Sequence, residues 1–175
     1  MSVKILLADD YVKARQATRL LLAEHSEWEV CGDAEDGLDA VVKAATLKPD
    51  LVILDLSMPK MNGLEAAKII HAADPELPLL AFSVDGGDLR MLPGIRAAGF
   101  RGAVSKSTGW LLPDAIELLL EGKAFFGVNS SAPAAPAIEP SVKVTPEPTR
   151  HPADEPQDAK KAAARSDDPP EPPLS

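Results

Sequence analysis

Apolar and polar positions in residues 1–126 follow two alternating patterns along the chain. Short runs of β-branched or apolar residues indicate strands: VKILLA (3–8), WEVCGDA (28–34), LVILD (51–55), LPLLAFS (77–83) and RGAVSK (101–106). Helix-like segments accompany them: 11–25, 37–47, 63–72, 88–98 and 111–121. Three of the strand runs are apolar throughout, which is typical of central parallel strands covered on both faces. Strand–helix alternation repeated five times predicts an α/β fold, with a (βα)5 parallel sheet and right-handed crossovers.

Glycine and proline positions indicate where the later helices begin and end. Gly99 and Gly122 follow the fourth and fifth helices, where C-terminal caps are expected. The segment 86–94 contains the pairs GG and PG. In a helix interior each glycine costs about 1 kcal/mol and a proline about 3 kcal/mol relative to alanine. The fourth helix is therefore expected to be short, starting near Pro93, or to be preceded by a mobile loop, and this element is expected to be locally unstable.

The composition changes near Gly127. From Asn129 onward the chain holds 11 of its 17 prolines, no aromatic residue and few large aliphatic residues. Such a segment cannot bury enough apolar surface to offset the entropy of ordering. Residues 127–175 are therefore predicted to form a disordered, acidic, Pro/Ala-rich tail after a domain of residues 1–126. We interpret the tail as solvated chain, with a tether or a spacer as alternatives.

Charge and cysteine content narrow the range of functions. The chain of 175 residues has a net charge of −9, which argues against unaided binding to nucleic acid or to an anionic membrane surface. Cys31 is the single cysteine, so no internal disulfide forms, and we interpret it as a small core residue of the second strand. No apolar run approaches the length of a membrane span, and the N-terminal run is too short and too acidic for a signal peptide. A cytoplasmic protein is expected.

Polar side chains stand where four of the predicted strands end. Asp9 and Asp10 follow the first strand, Asp55 ends the third, Ser83 ends the fourth and Lys106 ends the fifth. Ligands of open parallel α/β sheets bind outside the carboxyl ends of the strands, so these groups are expected to converge. Three neighbouring carboxylates repel one another, and a hard divalent cation such as Mg²⁺ removes that conflict. The pattern predicts a Mg²⁺ site at this edge of the sheet.

The same residues are suited to phosphoryl-transfer chemistry. A carboxylate such as Asp55 can attack a phosphoryl group and form an aspartyl-phosphate. Lys106 and the metal would neutralise charge on the transferred group, and Ser83 could hydrogen-bond one of its oxygens. Each residue alone has a simpler interpretation, because an aspartate can cap a helix, a serine can end a strand and a lysine can be a solvated charge. Their shared position at strand ends favours the site. Trp28 and Trp110, at the starts of predicted elements, are interpreted as packing residues.

Residues 3–126 resemble the receiver domain of two-component response regulators. The features that carry the resemblance are the DD pair after the first strand, LDLSMPKMNG around Asp55, Ser83 after the fourth strand and Lys106 after the fifth. The resemblance implies a flavodoxin-like, doubly wound parallel sheet with strand order 2-1-3-4-5. It also implies that Asp55 is the phosphoacceptor and that Ser83 and Lys106 sense the phosphoryl group. The implied Mg²⁺ ligands are Asp9 through a water molecule, Asp10, Asp55 and the backbone carbonyl of Ser57.

The resemblance also implies a set of partners. The donor would be a histidine kinase or a histidine phosphotransfer protein, the downstream partner is an unknown protein, and a homodimer on phosphorylation is compatible with the family. GLDAVVKAATLKPDLVILDLSMPKMNGLEAAKII and AGFRGAVSK most resemble receivers with a LuxR-type helix-turn-helix output domain. The tail has neither the length, about 60 residues, nor the periodicity of that domain, so direct DNA binding is not expected. The expected function is a phosphoacceptor signalling module rather than an enzyme, with intrinsic Mg²⁺-dependent phosphorylation and dephosphorylation chemistry.

One position departs from the family pattern. Receivers commonly carry Tyr or Phe three residues before the lysine, and rotation of that ring reports phosphorylation. Here the position is Ala103. The alternative hypothesis is therefore a phosphorylation-independent adaptor that keeps the acidic site without switching. A third hypothesis, a phosphatase or phosphotransferase acting on small substrates, lacks support because the sequence indicates no cap domain or substrate pocket.

Overall fold

In the part of the chain that the computed structural model describes, residues 2–84, 88 and 90–127, parallel strands form one sheet. The strands are β1 (Val3–Ala8), β2 (Trp28–Ala34), β3 (Leu51–Leu54), β4 (Leu79–Ser83), β5 (Gly102–Ser105) and β6 (Phe125–Phe126). Their order is β2-β1-β3-β4-β5-β6, and every neighbouring pair is parallel. The predicted flavodoxin-like α/β fold with order 2-1-3-4-5 is confirmed. The predicted tail beyond Gly127, and positions 85–87 and 89 of the fourth-helix segment, lie outside the described residues.

The helices connect successive strands as the alternation predicts. They are α1 (Val12–Leu22), α2 (Gly37–Leu47), α3 (Gly63–Ala73), α4 (Leu92–Ala97) and α5 (Leu112–Leu120), with a 3-10 helix, Lys106–Leu111, between β5 and α5. The prediction of a short fourth helix starting near Pro93 is confirmed, since α4 has six residues and begins at Leu92. The cap predictions are also confirmed, because Gly99 and Gly122 have positive φ, 96° and 77°. Among the described residues, no helix has the length and apolar character needed to cross a bilayer.

The core consists of two apolar layers, one on each face of the sheet. Successive side chains of a strand point to opposite faces. Thus Leu6 packs in the layer formed with α2, α3 and α4, whereas Ile5 and Leu7 pack in the layer formed with α1 and α5. Fully burying one such side chain stabilises the fold by about 1.5–3 kcal/mol. Strands covered on both faces need no polar positions, which explains the apolar runs in the sequence. Cys31 is partly buried against the α2–α4 layer.

The sixth strand covers the outer edge of β5 and was not predicted. The amide of Phe125 donates to the carbonyl of Arg101 at 3.0 Å, and the amide of Gly127 donates to the carbonyl of Ala103 at 2.9 Å. Phe126 lies opposite Ala103 in the register. Its ring packs against the α2–α4 layer and lies under the guanidinium of Arg96 in α4, 4.2 Å from the ring centre. The sheet therefore has an aromatic ring beside Ala103, contributed by the neighbouring strand.

The two tryptophans differ in their surroundings. Trp28 is buried in the layer formed with α1 and α5, and its ring stacks on His25 at a centroid distance of 4.0 Å. Trp110 is 62% exposed, so its interpretation as a packing residue is wrong. The reason is local: α5 begins at Leu112, and Trp110 belongs to the preceding 3-10 helix, outside the helix face that covers the sheet.

We predict that Gly99→Ala lowers the free energy of unfolding by about 2–3 kcal/mol, because a left-handed non-glycine residue is strained and the site has no room. A Cβ at Gly99 would lie 2.3 Å from Cγ of His71, and φ is 96°. Urea unfolding of the two proteins measures the difference.

Gly94→Ala is the matched control for that substitution. A Cβ at Gly94 would have nothing within 4 Å, and the residue lies inside α4. Because alanine is the better helix former, this change should raise the free energy of unfolding by up to about 1 kcal/mol. Equal destabilisation by the two substitutions would contradict the steric and conformational argument at Gly99.

Candidate functional site

Three aspartates meet at the carboxyl ends of β1 and β3. Asp9 and Asp10 follow β1 and Asp55 follows β3, and one carboxylate oxygen of each lies within 4.8 Å of the others. Asp9 and Asp55 are 2% and 6% exposed, whereas Asp10 faces solvent. The two strands pair directly, and the amide of Asp55 donates to the carbonyl of Ala8 at 2.8 Å. The sheet itself therefore holds these carboxylates together.

Lys106 places a positive charge directly against the buried pair, Asp9 and Asp55. It follows β5, and its Nζ lies 2.6 Å from Oδ2 of Asp9 and 2.8 Å from Oδ2 of Asp55. Burial is the largest single influence on the pKa of Lys106 and lowers it, but the hydrogen bonds and the negative charges of Asp55 and Asp9 together outweigh burial, so the pKa is raised. The ammonium therefore stays charged at neutral pH and bridges the two carboxylates.

Asp9 is held at four points. Its amide donates to the carbonyl of Ala34 at 3.1 Å, and its Oδ1 accepts from the amide of Tyr11 at 2.9 Å. Its Oδ2 contacts Lys106, and its backbone carbonyl accepts from Nη1 of Arg15 at 2.6 Å. Asp10 differs, since its carboxylate has no hydrogen bond or ion pair with any described residue. The first aspartate is thus fixed, and the second is available to a ligand.

Arg15 is the residue of this site that sequence reasoning missed. It is 8% exposed and lies on α1, where Arg15, Thr18 and Leu22 form the buried face. Arg15 precedes Thr18 and Leu22 by three and seven residues, which is the spacing of one helix face. A charged residue on such a face indicates a buried partner, because arginine is rarely buried without one. The sequence does not indicate that partner, since it is a backbone carbonyl in the β1–α1 loop.

The loop after β3 shapes the surroundings of Asp55. Ser57 is exposed, and its amide lies a long 3.4 Å from Oδ1 of Asp55. Asn62 and Glu65 form a capping box at the start of α3. A Cβ at Gly63 would lie 2.0 Å from the carbonyl oxygen of Asp55, so only glycine allows the helix to begin this close to the acid.

Ser83 lies at the end of β4, in register with Ser105 of β5. It is 1% exposed, and its hydroxyl makes no hydrogen bond with the residues that the structure describes. Ser105 Oγ lies 3.3 Å from the carbonyl of Val84, which connects the ends of β4 and β5. The structure thus brings Asp9, Asp55 and Lys106 into contact, with a carboxylate oxygen of Asp10 within 4.8 Å of the other two aspartates. Ser83 lies at the end of β4, the strand between β3 and β5.

Comparison with known proteins identifies the family. A family model for the response regulator receiver domain matches residues 5–110. The chain belongs to the response regulator receiver family. Receivers of this family are signalling modules of two-component systems, so the resemblance read from the sequence is confirmed. The three aspartates of the cluster and Lys106 all lie within the matched residues.

Similar proteins include both regulators and isolated receivers. The uncharacterized transcriptional regulatory protein YxjL of Bacillus subtilis (strain 168) is 30% identical over 130 residues, covering 74% of this chain and 60% of YxjL. A LuxR-family two-component response regulator from Aurantimonas sp. SI85-9A1 has a TM-score of 0.66 and 30% identity, covering 71% of this chain and 89% of that one. The isolated receiver of RcsB from Salmonella enterica serovar Typhimurium, solved with phosphomimetic BeF3-, has a TM-score of 0.65 and 25% identity, covering 71% and 93%. The chain thus spans less than two thirds of its relative YxjL.

The donor set of the receiver fits a hard divalent cation. Three carboxylates and one ammonium leave two negative charges in the cluster when all are ionised. Mg²⁺ prefers oxygen ligands, takes one or two carboxylates and keeps waters for the rest. Asp10 is solvent-facing and uncommitted, whereas Asp9 and Asp55 each share one oxygen with Lys106. These residues could hold Mg²⁺ if the ammonium of Lys106 moved away from one of the two carboxylate oxygens that it contacts.

We predict that Lys106→Met, measured in EDTA at neutral pH, lowers the free energy of unfolding by about 2–3 kcal/mol, because two buried carboxylates lose their cation. Added Mg²⁺ should reduce that loss, because the ion supplies positive charge to the same oxygens. Chemical unfolding with and without Mg²⁺ measures the loss of stability and its reduction by the ion.

Lys123→Met is the control, since Lys123 pairs with Glu121 at 2.6 Å on the surface. Exposed pairs contribute about 0–1 kcal/mol, and this one should not respond to Mg²⁺. A Lys106 variant that is as stable as the wild type in EDTA would contradict the bridging role of the ammonium.

We also predict an alkaline limit to the Lys106 contribution. The pKa of Lys106 is raised above 10.5, so its stabilisation is complete below that ordinary value and is lost as pH rises through the folded-state value. The stability difference between wild type and Lys106→Met in EDTA should therefore stay constant from about pH 7 to pH 9 and shrink only above about 10.5. Unfolding measured across this range checks the sign, and a difference that vanishes by about pH 9 would refute it.

Proposed function

We propose that this receiver accepts a phosphoryl group on Asp55 in a Mg²⁺-dependent reaction. The observation that carries the proposal is the cluster at the strand ends: a buried Asp55 beside Asp9, the uncommitted carboxylate of Asp10 and the ammonium of Lys106. Asp9, Asp10, Asp55 and the backbone carbonyl of Ser57 would hold the ion. When bound, Mg²⁺ supplies positive charge to the oxygens of the transferring phosphoryl group.

The donor that fits this chemistry is the phosphohistidine of a histidine kinase or a histidine phosphotransfer protein. An oxygen of the Asp55 carboxylate forms a bond to phosphorus as the phosphorus–nitrogen bond breaks, and the imidazole nitrogen leaves with that electron pair. Lys106 neutralises charge on the phosphoryl oxygens, and the free hydroxyl of Ser83 donates a hydrogen bond to one of them. RcsB, a structural neighbour, was solved with a phosphomimetic, which supports the same chemistry here.

The proposed output is protein–protein contact by a receiver of residues 1–126, followed by a tail of residues 127–175. The net charge of −9 supports a protein partner rather than direct contact with nucleic acid. A homodimer formed on phosphorylation is one form that the contact could take.

A phosphorylation-independent adaptor is the second candidate, and Ala103 favours it. Ala103 is fully buried in β5, so this strand has no ring that can rotate in response to the site. The two candidates differ in whether Asp55 chemistry alters partner binding.

We predict that incubation with Mg²⁺ and acetyl phosphate or phosphoramidate adds the mass of one phosphoryl group to the wild type and none to Asp55→Asn. Asp50→Asn is the matched control and should be phosphorylated as the wild type is. Asp50 lies just before β3, at the end of the strand opposite Asp55, and its Oδ2 accepts a hydrogen bond from the amide of Lys4. Intact-protein mass spectrometry reads the outcome.

Equal phosphorylation of wild type and Asp55→Asn would reject Asp55 as the acceptor. Phosphorylation of the wild type without any change in partner binding, with Asp55→Asn capturing the same partner, would favour the adaptor over the switch. Absence of phosphorylation in the wild type would reject the proposed reaction altogether.

A further inference from the structure

Arg15 occupies a position on α1 that the fold would normally give to an apolar side chain. Its side chain is 9% exposed, and its neighbours on the same helix face, Thr18 and Leu22, are 4% and 1% exposed. Burying a guanidinium is unfavourable unless its donors are satisfied. The contacts of Arg15 therefore indicate what the buried charge does in the fold.

Those contacts are unequal. Nη1 donates to the backbone carbonyl of Asp9 at 2.6 Å, a short charge-assisted hydrogen bond in a buried setting. Nη2 lies 3.4 Å from Oε1 of Glu35, whose side chain is 74% exposed. Long, solvent-exposed ion pairs contribute little. The main role of the guanidinium is thus the contact with the β1–α1 loop.

The carbonyl that Arg15 holds belongs to the peptide bond between Asp9 and Asp10. Because a peptide unit is planar, fixing its oxygen also fixes the amide nitrogen and Cα of Asp10. The carboxylate of Asp10 is exposed and has no partner among the described residues, so contacts of its own side chain do not orient it. The backbone position from which this carboxylate extends is the one that Arg15 holds.

We propose that Arg15 is a positioning residue for the aspartate pair that binds Mg²⁺. It acts through the Asp9–Asp10 peptide, which it locks so that the two carboxylates approach one ion from fixed directions. The proposal rests on the proposed function, since it assigns Arg15 a role toward the metal of the same site. Outer-shell partners of this kind commonly change metal affinity when they are replaced.

The charge of Arg15 and its hydrogen bond predict opposite changes in Mg²⁺ affinity when the residue is replaced, so the experiment can separate them. A guanidinium near a divalent cation repels it, so removal of the charge alone would strengthen Mg²⁺ binding. Loss of the hydrogen bond frees the peptide and would weaken binding. Arg15→Lys separates the two, because lysine keeps the charge but offers a mobile point donor in place of a planar fork.

The experiment is calorimetric titration of the full chain with Mg²⁺, comparing wild type, Arg15→Met and Arg15→Lys. We expect Mg²⁺ affinity to fall about 10-fold for Arg15→Met and by a smaller factor for Arg15→Lys. Thr18→Val is the matched control, since Thr18 is buried on the same helix face and its hydroxyl donates to the carbonyl of Ala14. Glu35→Gln tests the exposed pair. Both controls should bind Mg²⁺ as the wild type does.

Unchanged or tighter Mg²⁺ binding by Arg15→Met would overturn the proposal. If the Met variant does not fold, Arg15→Lys decides, and wild-type affinity in that variant overturns the proposal as well. Hydrogen exchange of the Tyr11 amide in EDTA gives a readout without metal, because this amide donates to Oδ1 of Asp9 at 2.9 Å. We expect exchange about 10-fold faster in Arg15→Met than in wild type or Thr18→Val.

The two readouts also distinguish this inference from the proposed function. A wild type that binds no Mg²⁺ would count against the proposed function, and the Tyr11 exchange rate would then decide on Arg15 alone. An unchanged rate in Arg15→Met would reject the positioning role whether or not the receiver binds metal.

Discussion

Repulsion among carboxylates at the ends of parallel strands is the constraint on which the rest of the site depends. The pairing of β1 with β3 brings Asp9 and Asp55 together, and their burial raises the cost of leaving them unpaired. Lys106 resolves part of this conflict from β5, two strands away from β3 in the sheet order. Two negative charges still remain when the cluster is ionised, and a divalent cation is the simplest group that balances them.

The fold was predictable because its main determinants are local. Strands buried on both faces must be apolar throughout, and Leu51–Leu54 satisfies that rule without reference to any partner. Gly99 and Gly122 indicate helix ends because few other residues adopt the positive φ that both have. The sixth strand was not predictable, since Phe125–Phe126 has only two residues and exists through its pairing with β5. A pattern of two residues carries no period, so the neighbouring edge decides its structure.

The candidate site also has residues that the sequence predicted and one that it did not. Five residues could be selected because each ends or directly follows a predicted strand, and the carboxyl ends of parallel strands meet at one side of the sheet: Asp9, Asp10, Asp55, Ser83 and Lys106. Their roles as ligands, acceptor and sensors remain predictions that the proposed experiments address. Arg15 was not selected because its close partner is the backbone carbonyl of Asp9, and the sequence does not show which backbone groups a side chain will contact. Residues that act through the main chain must be found in the structure.

The edge of the sheet bears on the choice between switch and adaptor. An alanine at position 103 removes the ring from β5, yet Phe126 places a ring beside it, under Arg96 of α4. The aromatic group on this face therefore belongs to β6 and contacts α4, and it does not belong to β5, the strand that Lys106 follows. Any movement of that ring must involve α4, a six-residue helix without a side-chain N-cap, or the two-residue pairing of β6. Both are weaker attachments than a central strand, because few hydrogen bonds hold them. With Ala103 in β5, the ring on this face of the sheet is held by the edge strand β6 and by α4, and not by a strand of the sheet interior.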